Sequence, residues 1–285
     1  MTLVPPATIF DRIVGIDYSG ACTACESLPG LRVFVSDRLA PPVEVAPPAI
    51  AGRYWTRQAL AQWLVEQLAG DVRTLVGIDH AFSFPLQYFE EHGLAPDWPA
   101  FLDDFQHHWP TDAPHTYVDF VREGVYGNGA ARMGNSRWRR IVDQRARAKS
   151  VFHFDVPGQV AKSTHAGLPW LRFIRQQLGA RVQFWPFDGW ALSGRSVLAE
   201  VYPSLWSRTV PRDDAHTNDQ HDAFAVAEWL RRAQIAGELA PLFDPELSAQ
   251  ERLIASIEGW ILGLPAEGVE VKVSWSPRRP RHWRA

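Results

Sequence analysis

Residues 12–17, RIVGID, run a short apolar, β-branched segment straight into an aspartate, and residues 73–79, RTLVGID, do the same. The shared letters are Val14-Gly15-Ile16-Asp17 and Val76-Gly77-Ile78-Asp79. An aspartate inside an apolar strand is costly, because an unpaired buried carboxylate loses its hydration. At the last position of a strand it can instead point past the sheet edge into a cleft, where open α/β sheets place their ligands. Each Asp could also simply start a turn, as Asp does readily. A matched pair raises the weight of the cleft reading.

Outward from these two segments, residues 31–36 read as a second strand and residues 43–46 as a short third, bounded by prolines. A helix is expected from about Thr56, a good N-cap, with Leu60, Trp63, Leu64 and Leu68 on one face and Gly70 as its stop. Residues 73–79 then form the fourth strand. From Pro85 to about Ser150 the pattern loosens into an insertion with helical pieces. Order returns with SVFHFDV (150–156), read as a strand, and a helix capped by Ser163 or Thr164 and ended by Gly179. RVQFWPF (181–187) and SVLAEVYPSLW (196–206) read as strands. Amphipathic helices follow at 218–237 and 248–263, before a basic tail at 271–285.

The chain has 285 residues, 46% hydrophobic and 12% aromatic, enough to bury a large core as one domain with an insertion. A net charge of −3 gives no global pull towards nucleic acid or membrane, so any polyanion site must be a local patch. No run approaches the roughly 18 apolar residues of a membrane helix. MTLVPPATIFDR lacks the layout of a signal peptide, so the expected location is cytoplasmic, with no membrane partner. The two cysteines, Cys22 and Cys25, form a C-x-x-C that could be a redox pair, half a zinc site, or two reduced thiols in a loop.

Glu200 lies amid apolar neighbours in VLAEVYP, and Asp222 is placed near the start of the following helix, where the macrodipole favours an acid. If the strands are neighbours, about 4.8 Å apart, Asp17, Asp79, Glu200 and Asp222 reach a common site. Like charges that close raise one another's pKa and destabilise the fold unless cations neutralise them. An all-oxygen cluster suits Mg²⁺ or Mn²⁺, and two ions about 3.5–4 Å apart can clamp the attacking and leaving oxygens of a phosphodiester. These four acids are the expected metal ligands and catalytic residues.

The order strand–strand–strand–helix–strand, with Asp at the ends of the first and fourth strands and a later acid on a helix, resembles the ribonuclease H-like α/β fold. More narrowly, GIDYSG, GIDHAFSFP, SVFHFDVPGQVAKSTHAGLPWLRFI, VQFWPFDG, LAEVYPSLW, DQHDAFAVAEWLR and EGWILG resemble a bacterial family of predicted nucleases in that superfamily, a domain of unknown function. The resemblance spans most of the chain and is weakest from Pro85 to Lys149 and in the tail. It implies a mixed sheet ordered 3-2-1-4-5, strand 2 antiparallel, with strands 1, 4 and 5 parallel and adjacent. It also marks Asp17, Asp79, Glu200 and Asp222 as metal ligands. Many enzymes of this fold place the third acid elsewhere, and Glu200 at a strand end departs from them.

A hydrolytic site also needs groups for the substrate. Residues 132–149 hold six arginines and Lys149 against the single acid Asp143, with Trp138 among them, a mixture that suits a nucleic-acid backbone and a stacked base, or a solvated helix face. Arg139 and Arg145 are the candidates taken from it. Ser19 follows the first strand. Lys162, Ser163, Thr164 and His165 sit where a helix start would attract anions. PGQVAKSTHAG is not a P-loop, because Val156 and Ala161 stand where that motif needs glycine.

The leading expectation is therefore a Mg²⁺- or Mn²⁺-dependent nuclease or phosphodiesterase acting on nucleic acid. A second is a catalytically silent module that binds nucleic acid or a partner in the same cleft. A third, an actin-like or sugar-kinase-like ATP-binding protein, starts from the likeness of GIDYSG to the phosphate loop of those proteins. That fold duplicates the whole domain, and no adenosine-binding glycine motif is recognisable here.

Overall fold

The structure is a computed structural model and describes residues 9–154 and 160–265. Six strands form one mixed sheet: β1 (Arg12–Asp17), β2 (Arg32–Asp37), β3 (Val43–Glu44), β4 (Thr74–Ile78), β5 (Val182–Trp185) and β6 (Ser196–Glu200). Their spatial order is β3-β2-β1-β4-β6-β5. β2 runs antiparallel to β1 and β3, while β1, β4, β6 and β5 are parallel. This corrects the expected order 3-2-1-4-5, since the last strand lies beside β4 and the fifth takes the edge. Both are fully buried. What marks the edge is Gln183, whose amide donates to the Gly189 and Ala191 carbonyls of the loop folded over β5.

The second correction concerns residues 150–154, which form turn and loop; residues 155 and 156 lie outside the described residues. The alternation of Phe152 and Phe154 mimics a strand. Both rings instead pack with Phe84, Phe105 and Trp109 around His165. The region after β4 holds α2 (Leu86–Glu91), α3 (Trp98–His108), α4 (Val118–Arg122) and α5 (Ile141–Arg145), and buried side chains from it join the main core. Among the described residues no helix is long and apolar enough to cross a membrane.

The strand period of two sorts side chains between the faces. Val14, Ile16, Val76, Ile78 and Leu198 pack with Leu60 and Leu64 of α1 (Arg57–Ala69) and Leu171 and Ile174 of α6 (Val160–Leu178). Ile13, Leu75, Val197 and Ala199 face α7 (Asn218–Ala236). Gly15 and Gly77 belong to this second face. A Cβ on Gly15 would lie 2.3 Å from the Ala223 carbonyl oxygen and 2.7 Å from the Ala227 amide, both backbone atoms of α7. On Gly77 it would meet Val201 at 2.8 Å and Val226 at 2.9 Å. The repeated glycine therefore lets α7 press directly onto the sheet, and the aspartate two residues on points to the same side. Gly15→Ala should destabilise the protein by about 3 kcal/mol, since a backbone carbonyl cannot rotate away from the new methyl. Urea unfolding checks this; a loss below about 1 kcal/mol would mean the helix rides loosely.

Candidate active site

β1 and β4 are in register, Ile16 opposite Ile78, and the Asp79 amide donates to the Ile16 carbonyl at 3.0 Å. Asp17 and Asp79 therefore end neighbouring strands side by side, on the face that α7 covers. α7 begins at an N-cap Thr217 whose side chain accepts from the Gln220 amide, and it offers Asp219 in its first turn and Asp222 three residues later on the same side. A cleft of about 650 Å³ opens here, lined by all four aspartates, the loop Tyr18–Cys22, Tyr117 and Asp119, Lys162 and Ser163, and Tyr202.

Burial raises the Asp17 pKa well above the carboxylate range, and Asp79, Asp219 and Asp222 push it further, with Arg32 the opposing charge. Asp79 is pushed up to about 8 by burial, then by Asp222 and Glu200. Asp222 is raised by burial, against the pull of His221 and a hydrogen bond with Ser207. Arg32 does not close on the cluster: its guanidinium donates to Glu44 at 3.0 Å and to the Pro29 carbonyl. An acid held protonated in the fold binds more protons there than in the unfolded chain. Without divalent ions, the stability contributed by these acids should therefore be fully present near pH 4 and be lost as pH rises towards about 8, opposite in sign to that of the buried neutral His80 and His165, which is lost on acidification. Thermal melts of Asp79→Asn beside the parent across that range test this; a difference between the two that does not change with pH would show that Asp79 is not held protonated in the fold.

Glu200 is not part of this group, which corrects the expected four-acid set. It is level with Ile78 rather than Asp79, and a one-residue offset sends its side chain through the opposite face. There it is 3% exposed and accepts from both terminal nitrogens of Arg140, at 2.6 and 2.7 Å. The same guanidinium binds Asp143 at 2.7 Å, and Glu200 also accepts from the Phe82 amide at 3.3 Å. Burial still pushes the Glu200 carboxyl up against the pull of Arg140.

The substrate-binding candidates divide in the same way. Ser19, Lys162 and Ser163 line the cleft. Lys162 binds Asp119 at 2.5 Å, and the Ser163 hydroxyl donates to the Tyr18 carbonyl at 3.0 Å. Thr164 is fully buried and accepts from the Ala81 amide at 3.1 Å, so it shapes the turn after β4. His165 is a core residue: Nδ1 bonds the Ala161 carbonyl, and burial lowers its pKa to about 3. Ser163 and Thr164 are inside α6, which starts at Val160, so neither caps it. Arg139 is exposed outside the cleft, and Arg145 pairs with Glu251 and lies over Trp260. Arg132 grips Asp104 with two bonds, and Arg140 is buried. Internal pairs thus occupy much of the charge expected to meet nucleic acid. Cys22 and Cys25 are free, exposed thiols.

Three participants escaped the sequence reading. Asp219 could have been found from its three-residue spacing to Asp222. Asp119 faces the cleft through the fold of the insertion alone. Arg57, at the first position of α1 and 0% exposed, donates to the carbonyls of Ser19, Ala21 and Cys22 at 3.1, 2.6 and 2.8 Å. Nothing in RQALAQWL signals that a helix-start arginine turns inward.

The all-oxygen donors fit a hard divalent cation. Among the described residues, however, no three His, Cys, Asp or Glu side chains stand in a ready-made metal cage. Asp17 and Asp79 accept no hydrogen bond from another described side chain, so their oxygens remain available. Comparison with family models, curated proteins and solved structures returns no match.

Proposed function

We propose that this chain is a divalent-metal-dependent phosphodiester hydrolase, a nuclease or phosphodiesterase acting on nucleic acid, built on a ribonuclease H-like sheet. One observation carries the reading: Asp17 and Asp79 end adjacent parallel strands opposite Asp219 and Asp222, with no ion pair to either among the described residues and with Arg32, the opposing charge on Asp17, bound to Glu44. Five aspartates and one lysine line the cleft, a formal net of −4 once every acid is ionised, which would repel a phosphate and which burial and mutual repulsion oppose by raising Asp17, Asp79 and Asp222. Mg²⁺ or Mn²⁺ held by Asp17, Asp79, Asp219 and Asp222 would neutralise that charge and make bound water a better nucleophile at neutral pH. Asp17 and Asp79 orient from the sheet and Asp219 and Asp222 from the helix, while Lys162 and Ser19 stand at the wall for the substrate's phosphate. Tyr117 and Tyr202 offer faces for a base.

The test is cleavage of labelled single- and double-stranded DNA and RNA with Mn²⁺, Mg²⁺ or chelator. Metal-dependent products that chelator abolishes support the reading; the same products with chelator present overturn it. Melts should also show Mn²⁺ stabilising more at pH 8 than at pH 5, where protons compete for the same oxygens. Equal stabilisation at both pH values would place the ion elsewhere. The second reading is a silent nucleic-acid-binding module that uses the same cleft. It expects binding without products in any metal.

A further inference from the structure

The cleft that is to hold a phosphoester has five acids and a single lysine, already paired with Asp119. Something else must receive the anionic oxygens. The loop after β1 offers it. Arg57 takes the carbonyls of Ser19, Ala21 and Cys22 from inside the protein, and Arg57 itself is not on the cleft wall. In a planar trans peptide the C=O and the N–H point in opposite directions. Turning the Ser19 carbonyl towards Arg57 therefore turns the Gly20 amide away from it, the Ala21 carbonyl does the same for the Cys22 amide, and both residues line the cleft. Among the described residues neither amide has a protein acceptor. The next amide, Thr23, is taken by Glu26 at 2.8 Å. Cys22 has φ of 51°, the left-handed turn that gathers successive N–H groups into one concavity.

The loop is also fixed in place. A Cβ on Gly20 would lie 2.2 Å from the Lys162 carbonyl carbon and oxygen, so the loop rests on the first turn of α6 beside the one lysine of the cleft. Ser163 pins the Tyr18 carbonyl from the same turn. Donors held this way need no reorganisation when an anion arrives.

We propose that Ser19–Cys22 is the phosphoryl-oxygen site of the cleft, formed by the Gly20 and Cys22 amides with the Ser19 hydroxyl and shaped from behind by Arg57. The site rests on the phosphoester reading above and adds where the phosphate sits. The direction of three carbonyls carries it, independent of any motif. Arg57 is a positioning residue that acts through the loop and never meets the substrate.

The test is a titration of the ¹⁵N-labelled full chain with inorganic phosphate in the presence of Mg²⁺, followed by amide spectra. Saturable shifts of Gly20 and Cys22, larger than those of amides outside the cleft, are expected. Arg57→Lys keeps a cation but offers one nitrogen where Arg57 spreads its three bonds over two, so it cannot hold the carbonyls in the same places and should weaken phosphate at least about tenfold while distant amides keep their positions. Silent Gly20 and Cys22 amides, or an unchanged affinity in folded Arg57→Lys, overturn the site. Should that variant fail to fold, the wild-type titration decides alone. Metal-dependent cleavage with silent loop amides would sink this site and leave the hydrolase standing. Saturating loop shifts in a chain that cleaves nothing would do the reverse.

Discussion

Asp17→Asn should lower metal-dependent cleavage by about 10³-fold, equivalent to about 4 kcal/mol of transition-state stabilisation, while nucleic-acid binding at moderate salt is kept. The substitution keeps size and polarity but removes one negative oxygen from the strand pair that stands nearest Asp219 and Asp222. Its effect on folding should have the opposite sign. Without divalent ions the parent carries mutual repulsion among four carboxyls, and the variant carries less, so its melting temperature at pH 8 should rise. Loss of activity together with a gain in metal-free stability is the signature of a functional acid, because a structural one would lower both. Cleavage as fast as the parent's removes Asp17 from the site.

Arg140→Met should cost about 3–5 kcal/mol of stability, the larger of the stability effects expected here, because it leaves Glu200 and Asp143 as buried charges without the guanidinium, each keeping a single backbone amide. Equilibrium unfolding measures it. Removing one of the two stranded charges with Glu200→Gln in the same chain should recover part of the loss, a coupling that a double-mutant cycle resolves. Glu200→Gln alone should bind Mn²⁺ like the parent. A tenfold loss of Mn²⁺ affinity in that variant would return Glu200 to the ligand set.

The two acids therefore differ in kind although the sequence presents them alike. Asp17 and Glu200 both end an apolar strand, and the spacing of letters cannot say which face a strand end turns to once register is unknown. The twin V-G-I-D was legible because its glycine and aspartate share one face, so the motif carries its own register. The helix start at Thr56 was legible from capping chemistry, and its side chain accepts the Ala59 amide, whereas the cap expected at Ser163 or Thr164 falls inside a helix. Arg145 misled because a run of arginines says nothing of the acids that fold against it: Asp104 takes Arg132, Glu200 takes Arg140 and Glu251 takes Arg145, while Arg139 stays exposed away from the cleft. The order of β5 and β6 was hidden because both strands are buried along their whole length, so their patterns do not say which of them lies at the edge.

The contact of α7 with Gly15 has a consequence for ion choice. With main chain seated on main chain, the distance from strand ends to helix is set before any ligand arrives, and only side-chain torsions are left to adapt. A gap of fixed width favours one ionic radius. Mg²⁺ at about 2.0–2.1 Å and Ca²⁺ at about 2.3–2.6 Å from oxygen should not be interchangeable in it.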